Sequence, residues 1–297
     1  MARLTLPAAL DEVAAEIDRR FDVLLAVPDD ARADLYRAMR HATIGGGKRL
    51  RPLLVYATAD LFAVDRECAG RAATALECVH VYSLIHDDLP AMDDDDLRRG
   101  KPTVHKAFDE ATAILAGDSL HALAFEVAAD PATHPDPFVR AELVFDLARA
   151  AGPAGMAGGQ AMDLAAETAT FDLQTVTRLQ ALKTGALIGA AVEAGAILGR
   201  VPPEGRTGLR GYARDLGLAF QIADDLLDLE GDEAVAGKKL RKDAEAGKET
   251  FASLLGPDRA REQCHLLVDQ AIAHLHAYGA EADLLRDIAR YVVERDR

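Results

Sequence analysis

Apolar residues along this chain recur at intervals of three and four, the period at which side chains share one face of an α-helix. Leu179, Leu182, Ala186, Ala190, Ala194 and Ile197 make one such stripe, and Leu284, Leu285, Ile288, Ala289, Val292 and Val293 make another. β-branched runs are short, and no hairpin dipeptide flanks alternating strands. The pattern predicts helices near residues 8–25, 30–42, 50–62, 67–89, 107–129, 136–151, 172–199, 206–230, 257–277 and 281–294. Turn-forming clusters separate them: Gly45-Gly46-Gly47, Gly100-Lys101-Pro102, Pro131 to Pro137, Gly158-Gly159, Pro202-Pro203 and Gly256-Pro257. No fixed-period repeat and no Gly/Ser/Pro linker divides the chain, so residues 1–297 are expected to form one all-α domain.

Composition narrows the classes. A formal charge of -15 disfavours nucleic acid, whose binding needs Lys and Arg to neutralise phosphates. No stretch of 18 or more residues is strongly apolar and free of charge, so a membrane span is not expected. The N-terminus, MARLTLPAALDEVAAEIDRR, lacks a signal-type apolar core, and a cytoplasmic protein is the expectation. Cys68, Cys78 and Cys264 show no CxxC spacing, which suggests buried thiols rather than a zinc site or disulfides.

The acid is concentrated. Asp87, Asp88, Asp93, Asp94, Asp95 and Asp96 follow a helix whose stripe includes Leu76, Val79 and Leu84. Two unit charges ~4 Å apart repel by about 4 kcal/mol at an effective dielectric near 20. A helix C-terminus is also the unfavourable end for anions. Either this is a solvated acidic loop or it attracts hard cations such as Mg²⁺, which share their shell between carboxylates and substrate phosphates. The adjacent Arg98-Arg99 pair favours the second reading, because guanidinium forks match phosphate oxygens. Asp87 and Asp93 are six apart and do not stack on a straight helix, so spacing alone leaves their separation open.

A second cluster, Asp224, Asp225 and Asp228, lies in Phe220-Gln221-Ile222-Ala223-Asp224-Asp225-Leu226-Leu227-Asp228. Asp224 and Asp228 are i and i+4 on one face, and Gln221 is one turn earlier. Basic complements stand elsewhere. Lys48, Arg49 and Arg51 follow the three-glycine turn, and Lys183-Thr184-Gly185 interrupts an apolar helix, where an ammonium needs an anion. Lys238, Lys239, Arg241 and Lys242 suit a loop closing on phosphate. His80, two turns before Asp87, reads equally as a core histidine or a phosphate contact.

The segments GGKRLRP (46–52), HDDLPAMDDDDLRRGKPTVH (86–105), GGQAMDL (158–164), KTGAL (183–187), FQIADDLLD (220–228) and GKETFASLLG (247–256) resemble the trans-prenyl diphosphate synthases, most of all the bacterial farnesyl diphosphate synthases. The resemblance covers nearly the whole chain. It implies the isoprenoid synthase fold, a single antiparallel helix bundle around a deep central cavity, working as a homodimer. It implies three Mg²⁺ ions, with Asp87, Asp88 and Asp93 as ligands on one wall and Asp224 and Asp228 on the other. By the same resemblance Arg98, Lys183, Thr184, Gln221 and Lys238 hold an allylic diphosphate, dimethylallyl or geranyl. Lys48, Arg51, His80 and Arg99 hold isopentenyl diphosphate. Arg241 departs from the family, which often carries glycine before the Lys-Asp pair at 242–243.

The expected reaction is head-to-tail condensation through an allylic carbocation, for which Asp87, Asp93, Lys183, Asp224 and Lys238 are the candidate catalytic residues. Tyr82 stands five residues, roughly 7.5 Å of helix rise, before Asp87, with Ser83 on nearly the same face. A bulky Tyr82 suits a floor that stops growth near fifteen carbons; an ordinary packed tyrosine is the alternative. Farnesyl diphosphate is the expected product, with geranylgeranyl or geranyl diphosphate next. A non-catalytic synthase subunit or a terpene cyclase fits less well, since both Asp motifs and the basic elements are intact.

Overall fold

A computed structural model of the chain describes residues 5–230 and 248–294, and it is all-α but for one two-stranded hairpin among the described residues. The chain gathers into two compact units, residues 1–56 with 64–144 and residues 57–63 with 145–297. Helices α3 (Leu50–Asp60) and α7 (Pro137–Ala151) each contribute to both.

The first unit contains α1 (Leu6–Leu24), α2 (Ala33–Thr43), α4 (Arg66–Asp87), the hairpin β1 (Leu97–Arg98) and β2 (Lys101–Pro102), α5 (Val104–Ala107) and α6 (Glu110–Ala129). Asp65 starts α4 by accepting the Glu67 and Cys68 N–H groups at 2.9 and 3.3 Å, the usual service of an aspartate N-cap. Helices α4 and α6 pack together and bury small residues, Ala69, Ala72, Ala73 and Ala75 on α4 and Ala113, Ala116 and Ala124 on α6. At Gly117 of α6 a Cβ would lie 2.1 Å from His86 Nε2, so glycine makes room for that ring.

The second unit contains α8 (Met156–Ala165), α9 (Leu173–Gln180), a π-helical turn (Ala181–Gly185), α10 (Ala186–Leu198), α11 (Thr207–Glu230), α12 (Phe251–Leu255), α13 (Pro257–His274) and α14 (Asp283–Glu294). Helix α11 packs along α13, and Tyr212 ties it to α14 by donating to the Leu285 carbonyl at 2.7 Å. The helix expected over 172–199 is continuous but bulged, because one wider turn falls on Lys183-Thr184-Gly185. Three helices were not anticipated, among them the single turn α5. Helix α8 spans Gly158-Gly159, and α12 starts at the Thr250 capping box.

Among the described residues, two helical runs reach the length and hydropathy of a membrane span, Glu110–Ala129 and Leu173–Leu198. Both carry charge. In the second, Glu193 is buried and paired with Arg206 and Arg210 at 3.3 and 2.8 Å, and 61% of the apolar window lies inside the protein, as in a core helix.

Candidate functional site

In the first unit the chain leaves α4 at Asp87 and turns back at once. The Asp93 N–H donates to the Asp87 carbonyl at 2.8 Å, so residues six apart in sequence touch through their backbones. That contact supplies the proximity which helical spacing leaves open. Asp88 behaves differently from both. It is buried, and Arg98 grips it through Nε at 2.7 and 2.9 Å and through Nη2 at 2.6 Å. Burial, the largest influence, pushes the Asp88 carboxyl up despite that guanidinium.

Arg98 and Arg99 owe their positions to the hairpin, which the sequence pattern did not predict. Arg98 pairs with Lys101 across it, leaving Arg99 and Gly100 as a two-residue turn at φ 53° and 75°. Asparagine-glycine is the ordinary solution there. A left-handed arginine costs on the order of 1 kcal/mol, so its side chain is the reason to look closely. That side chain lies over the glycine turn: a Cβ at Gly47 would sit 2.4 Å from Arg99 Nη1. The three glycines thus provide space for a guanidinium as well as a bend. Burial, with the nearby Arg49 and Arg98 charges, pulls Arg99 below the usual arginine range.

Of the cations behind the turn, Arg49 faces inward. Itself at φ 51°, it binds Glu77 at 2.6 Å, Asp18 at 2.8 Å and the Thr43 carbonyl, all in the unit's interior. Lys48 is exposed and Arg51 half-buried. Arg51 Nη1 donates to His80 Nε2 at 3.4 Å. Burial holds His80 well below the ordinary imidazole range, helped by Arg51, Arg99, Arg98 and Arg49, so the ring is neutral. His80 therefore belongs to the basic cluster rather than to an inert core. A recess lined by Gly45, Gly46, Asp88, Arg98, Arg99 and Lys101 completes this half, and Lys101 was not singled out by sequence.

One turn and a half earlier on α4, the Tyr82 ring lies 4.6 Å from His121 and 5.8 Å from His86, and His121 continues to Phe125 at 5.2 Å. Tyr82 is thus one member of an aromatic layer shared with α6. Ser83 turns its hydroxyl to the His80 carbonyl at 2.8 Å.

The second unit carries its own acidic and basic groups. Asp224 and Asp228 share one face of α11 and keep partial exposure, whereas Asp225 is buried. Asp225 accepts the Gln221 amide at 3.0 Å and the Phe251 N–H at 2.8 Å; Gln221 Oε1 in turn accepts from the Thr184 hydroxyl at 3.0 Å. One chain of hydrogen bonds therefore joins the π-turn, α11 and the start of α12. Gly217 permits it, since a Cβ there would be 3.1 Å from Gly185 Cα.

Lys183, which needed an anion, has one. Its Nζ donates to Asp163 Oδ2 at 2.8 Å, and Lys248 reaches the same oxygen at 3.0 Å. Burial pushes Asp163 up, but the two ammonium groups outweigh it and the carboxyl ends below its usual range. Asp163 and Lys248 are residues that reading by spacing missed. Both lie in quoted motifs, but Gly158-Gly159 reads as a break rather than as part of α8. The reason for glycine is contact: a Cβ at Gly159 would lie 2.1 Å from the Lys183 backbone nitrogen. Lys238, with Lys239, Arg241 and Lys242, lies outside the described residues.

No three His, Cys, Asp or Glu side chains among the described residues converge into a ready-made metal cage. What they offer is hard oxygen donors with partial or full exposure, Asp87 and Asp93 in one unit and Asp224 and Asp228 in the other. Either pair fits Mg²⁺, which keeps several waters and takes one or two carboxylates together with substrate phosphates.

Known proteins bear on what these halves serve. Residues 32–285 match the polyprenyl synthetase family. The chain is 42% identical to the farnesyl diphosphate synthase of Escherichia coli, covering 99% of this chain and 100% of that one. It is also 42% identical to geranylgeranyl pyrophosphate synthase 11 of Arabidopsis thaliana, over 91% of this chain and 77% of the plant protein. Among solved structures, an apo FPP/GFPP synthase from Zymomonas mobilis superposes with a TM-score of 0.89 at 60% identity, covering 97% of this chain and 98% of that one. With all-α architecture, both Asp motifs and full-length similarity in agreement, the chain belongs to the polyprenyl synthetase family.

Proposed function

We propose that this protein is a Mg²⁺-dependent farnesyl diphosphate synthase, condensing isopentenyl diphosphate with dimethylallyl and then geranyl diphosphate. The observation that carries this reading is the cationic cluster of Arg51, Arg98 and Arg99 around neutral His80, beside the Asp87–Asp93 turn. Acid and base side by side suit a polyanion held together with its metal ions, and they have no purpose in a plain acidic loop. Full-length identity to farnesyl diphosphate synthases supports the same substrates. A family match that runs across both units supports one functional domain over 1–297.

The roles we assign are those that the family resemblance implies. Lys48, Arg51, His80 and Arg99 hold isopentenyl diphosphate. Arg98, Lys183, Thr184, Gln221 and Lys238 hold the allylic diphosphate. Asp87, Asp93, Asp224 and Asp228 hold the metal, three Mg²⁺ in all; Asp88 joins them only by giving up Arg98. When bound, Mg²⁺ supplies Lewis-acid neutralisation of the departing diphosphate. The lysines and arginines add fixed positive charge where negative charge develops. The reaction requires that water be excluded, since it would quench an allylic cation. No side chain is assigned as general base, since the departing diphosphate is itself basic. A cytoplasmic homodimer is the setting we assign to it, in keeping with its charged substrates.

A longer product is the second reading, supported by the 60% identity to an FPP/GFPP synthase and by the match to a geranylgeranyl synthase. Incubation with dimethylallyl and isopentenyl diphosphates and Mg²⁺, with a chelator control, tests both. Metal-dependent pyrophosphate release with a fifteen-carbon product by chromatography is expected. A main product of twenty or more carbons moves the assignment to the second reading, ten carbons to a geranyl diphosphate synthase, and no turnover removes all of these.

A further inference from the structure

Helix α8 presents one side to the π-turn that carries Lys183 and Thr184. Gly159 touches the Lys183 backbone, and Asp163 binds the Lys183 ammonium. Gln160 lies between them, three residues before Asp163 and hence on the same side of the helix. The residue is only 9% exposed, and neither of its buried amide atoms, Nε2 or Oε1, has a hydrogen-bond partner. Buried side-chain amides are nearly always satisfied, because leaving one unpaired forfeits hydration without return. A third buried amide atom, Gln180 Oε1, three residues before Lys183, is likewise without a partner. Unmet hydrogen-bonding capacity is therefore gathered at the Lys183 turn, where the surrounding lysines and carboxylate are already matched to one another.

A residue kept polar at such a cost, beside a pair of ammonium groups, has a ligand to meet. We propose that Gln160 is a further binding residue for the allylic substrate, its Nε2 donating to a diphosphate oxygen held by Lys183. This rests on the prenyl-transfer reading of the Lys183 site. An amide suits the position better than a third cation would. It donates to the anion without disturbing the Asp163 pairing with Lys183 and Lys248, and its orientation is set by α8, which Gly159 seats against the turn.

The test is Gln160→Met, which keeps length and removes both polar atoms, assayed with each substrate varied in turn and with the thermal midpoint measured on the ligand-free protein. Loss of one hydrogen bond to a charged group predicts a KM for geranyl diphosphate raised about tenfold to a hundredfold. The KM for isopentenyl diphosphate should stay within about twofold, because the groups assigned to it lie on other elements. Removing unpaired buried polar atoms should leave the midpoint unchanged or raise it by about 2 °C. Unchanged KM values for both substrates would overturn the proposal. So would parallel rises in both with a lowered midpoint, the signature of a packing role. If Gln160→Met does not fold, Gln160→Asn, which withdraws the amide by one methylene, carries the same comparison. Absence of turnover in the unaltered protein would instead count against the prenyl-transfer reading.

Discussion

The two Asp-Asp pairs look alike in sequence and are divided alike in space, but they are held by different forces. In each, the second aspartate is buried and engaged, and the first remains half-exposed. Asp88 is gripped by a guanidinium, whereas Asp225 is held by a side-chain amide and a backbone N–H. Among the described residues, the first pair is tied by charge pairing and sits among arginines, and the second by an amide and a backbone N–H that tie α11 to its neighbours. A repeated acidic dipeptide is thus one half-exposed oxygen donor plus one buried fastener, and the fastener differs with its surroundings.

The largest expected effect comes from removing an available donor. Asp224→Asn should lower kcat by roughly 10²–10³-fold, the order seen when one element of charge stabilisation is lost, with the thermal midpoint held. A comparable fall in both would mean that Asp224 is a fastener too, and the division proposed between the paired aspartates would fail. Next is the ionic fastener. Asp88→Ala strands Arg98, and because Arg98 is 31% exposed the cost is discounted from the buried-pair range to about 2 kcal/mol, read by urea unfolding. Stability unchanged to within measurement would show that solvent replaces the pair.

The pH response should separate the halves. His80 is held well below its ordinary pKa in the folded chain, so below about pH 6.5 the unfolded chain binds the proton that the folded one refuses. Stability should then be full above pH 6.5 and decline as pH falls beneath it, by up to about 1.4 kcal/mol per pH unit. His80→Gln should flatten that limb; an unaltered slope would place the proton elsewhere. For the neutral fastener, Asp225→Asn should cost about 1 kcal/mol, since one acceptor survives and an NH₂ now meets a donor. A loss as large as that of Asp88→Ala would erase the contrast. Smallest in energy is Tyr82→Ala, which should lengthen the product while total turnover changes by no more than about threefold, because the Tyr82 ring packs against His121 and His86 and holds no diphosphate group. Chromatography showing an unchanged product would leave Tyr82 as packing only.

Much of the fold was legible because helices obey a local rule. Stripes such as Leu179 to Ile197 announce themselves within one segment, and the predicted helices recur within a few residues of their places. The exceptions share a cause. Helix α8 was hidden because Gly158-Gly159 is a helix breaker by propensity, and only contact with Lys183 explains the glycine at 159. The hairpin was hidden because Arg99 is a poor left-handed residue, tolerated for where it puts its side chain. Site residues divide the same way. The Asp and Arg motifs stood out by composition and by resemblance, whereas Asp163, Lys248 and Lys101 are single residues in unremarkable company.

The chain by itself therefore determined the helical class, the two acidic centres and the residues suited to a diphosphate, since each is written in contiguous spacing. Tertiary structure alone decided which aspartate of each pair is buried and which keeps partial exposure, which arginine turns inward to Glu77, and which carboxylate neutralises Lys183. The reason is that a charged side chain takes its role from partners tens of residues away in sequence. Burial sets the strength of that partnership, and neither partner nor burial is encoded in the local pattern.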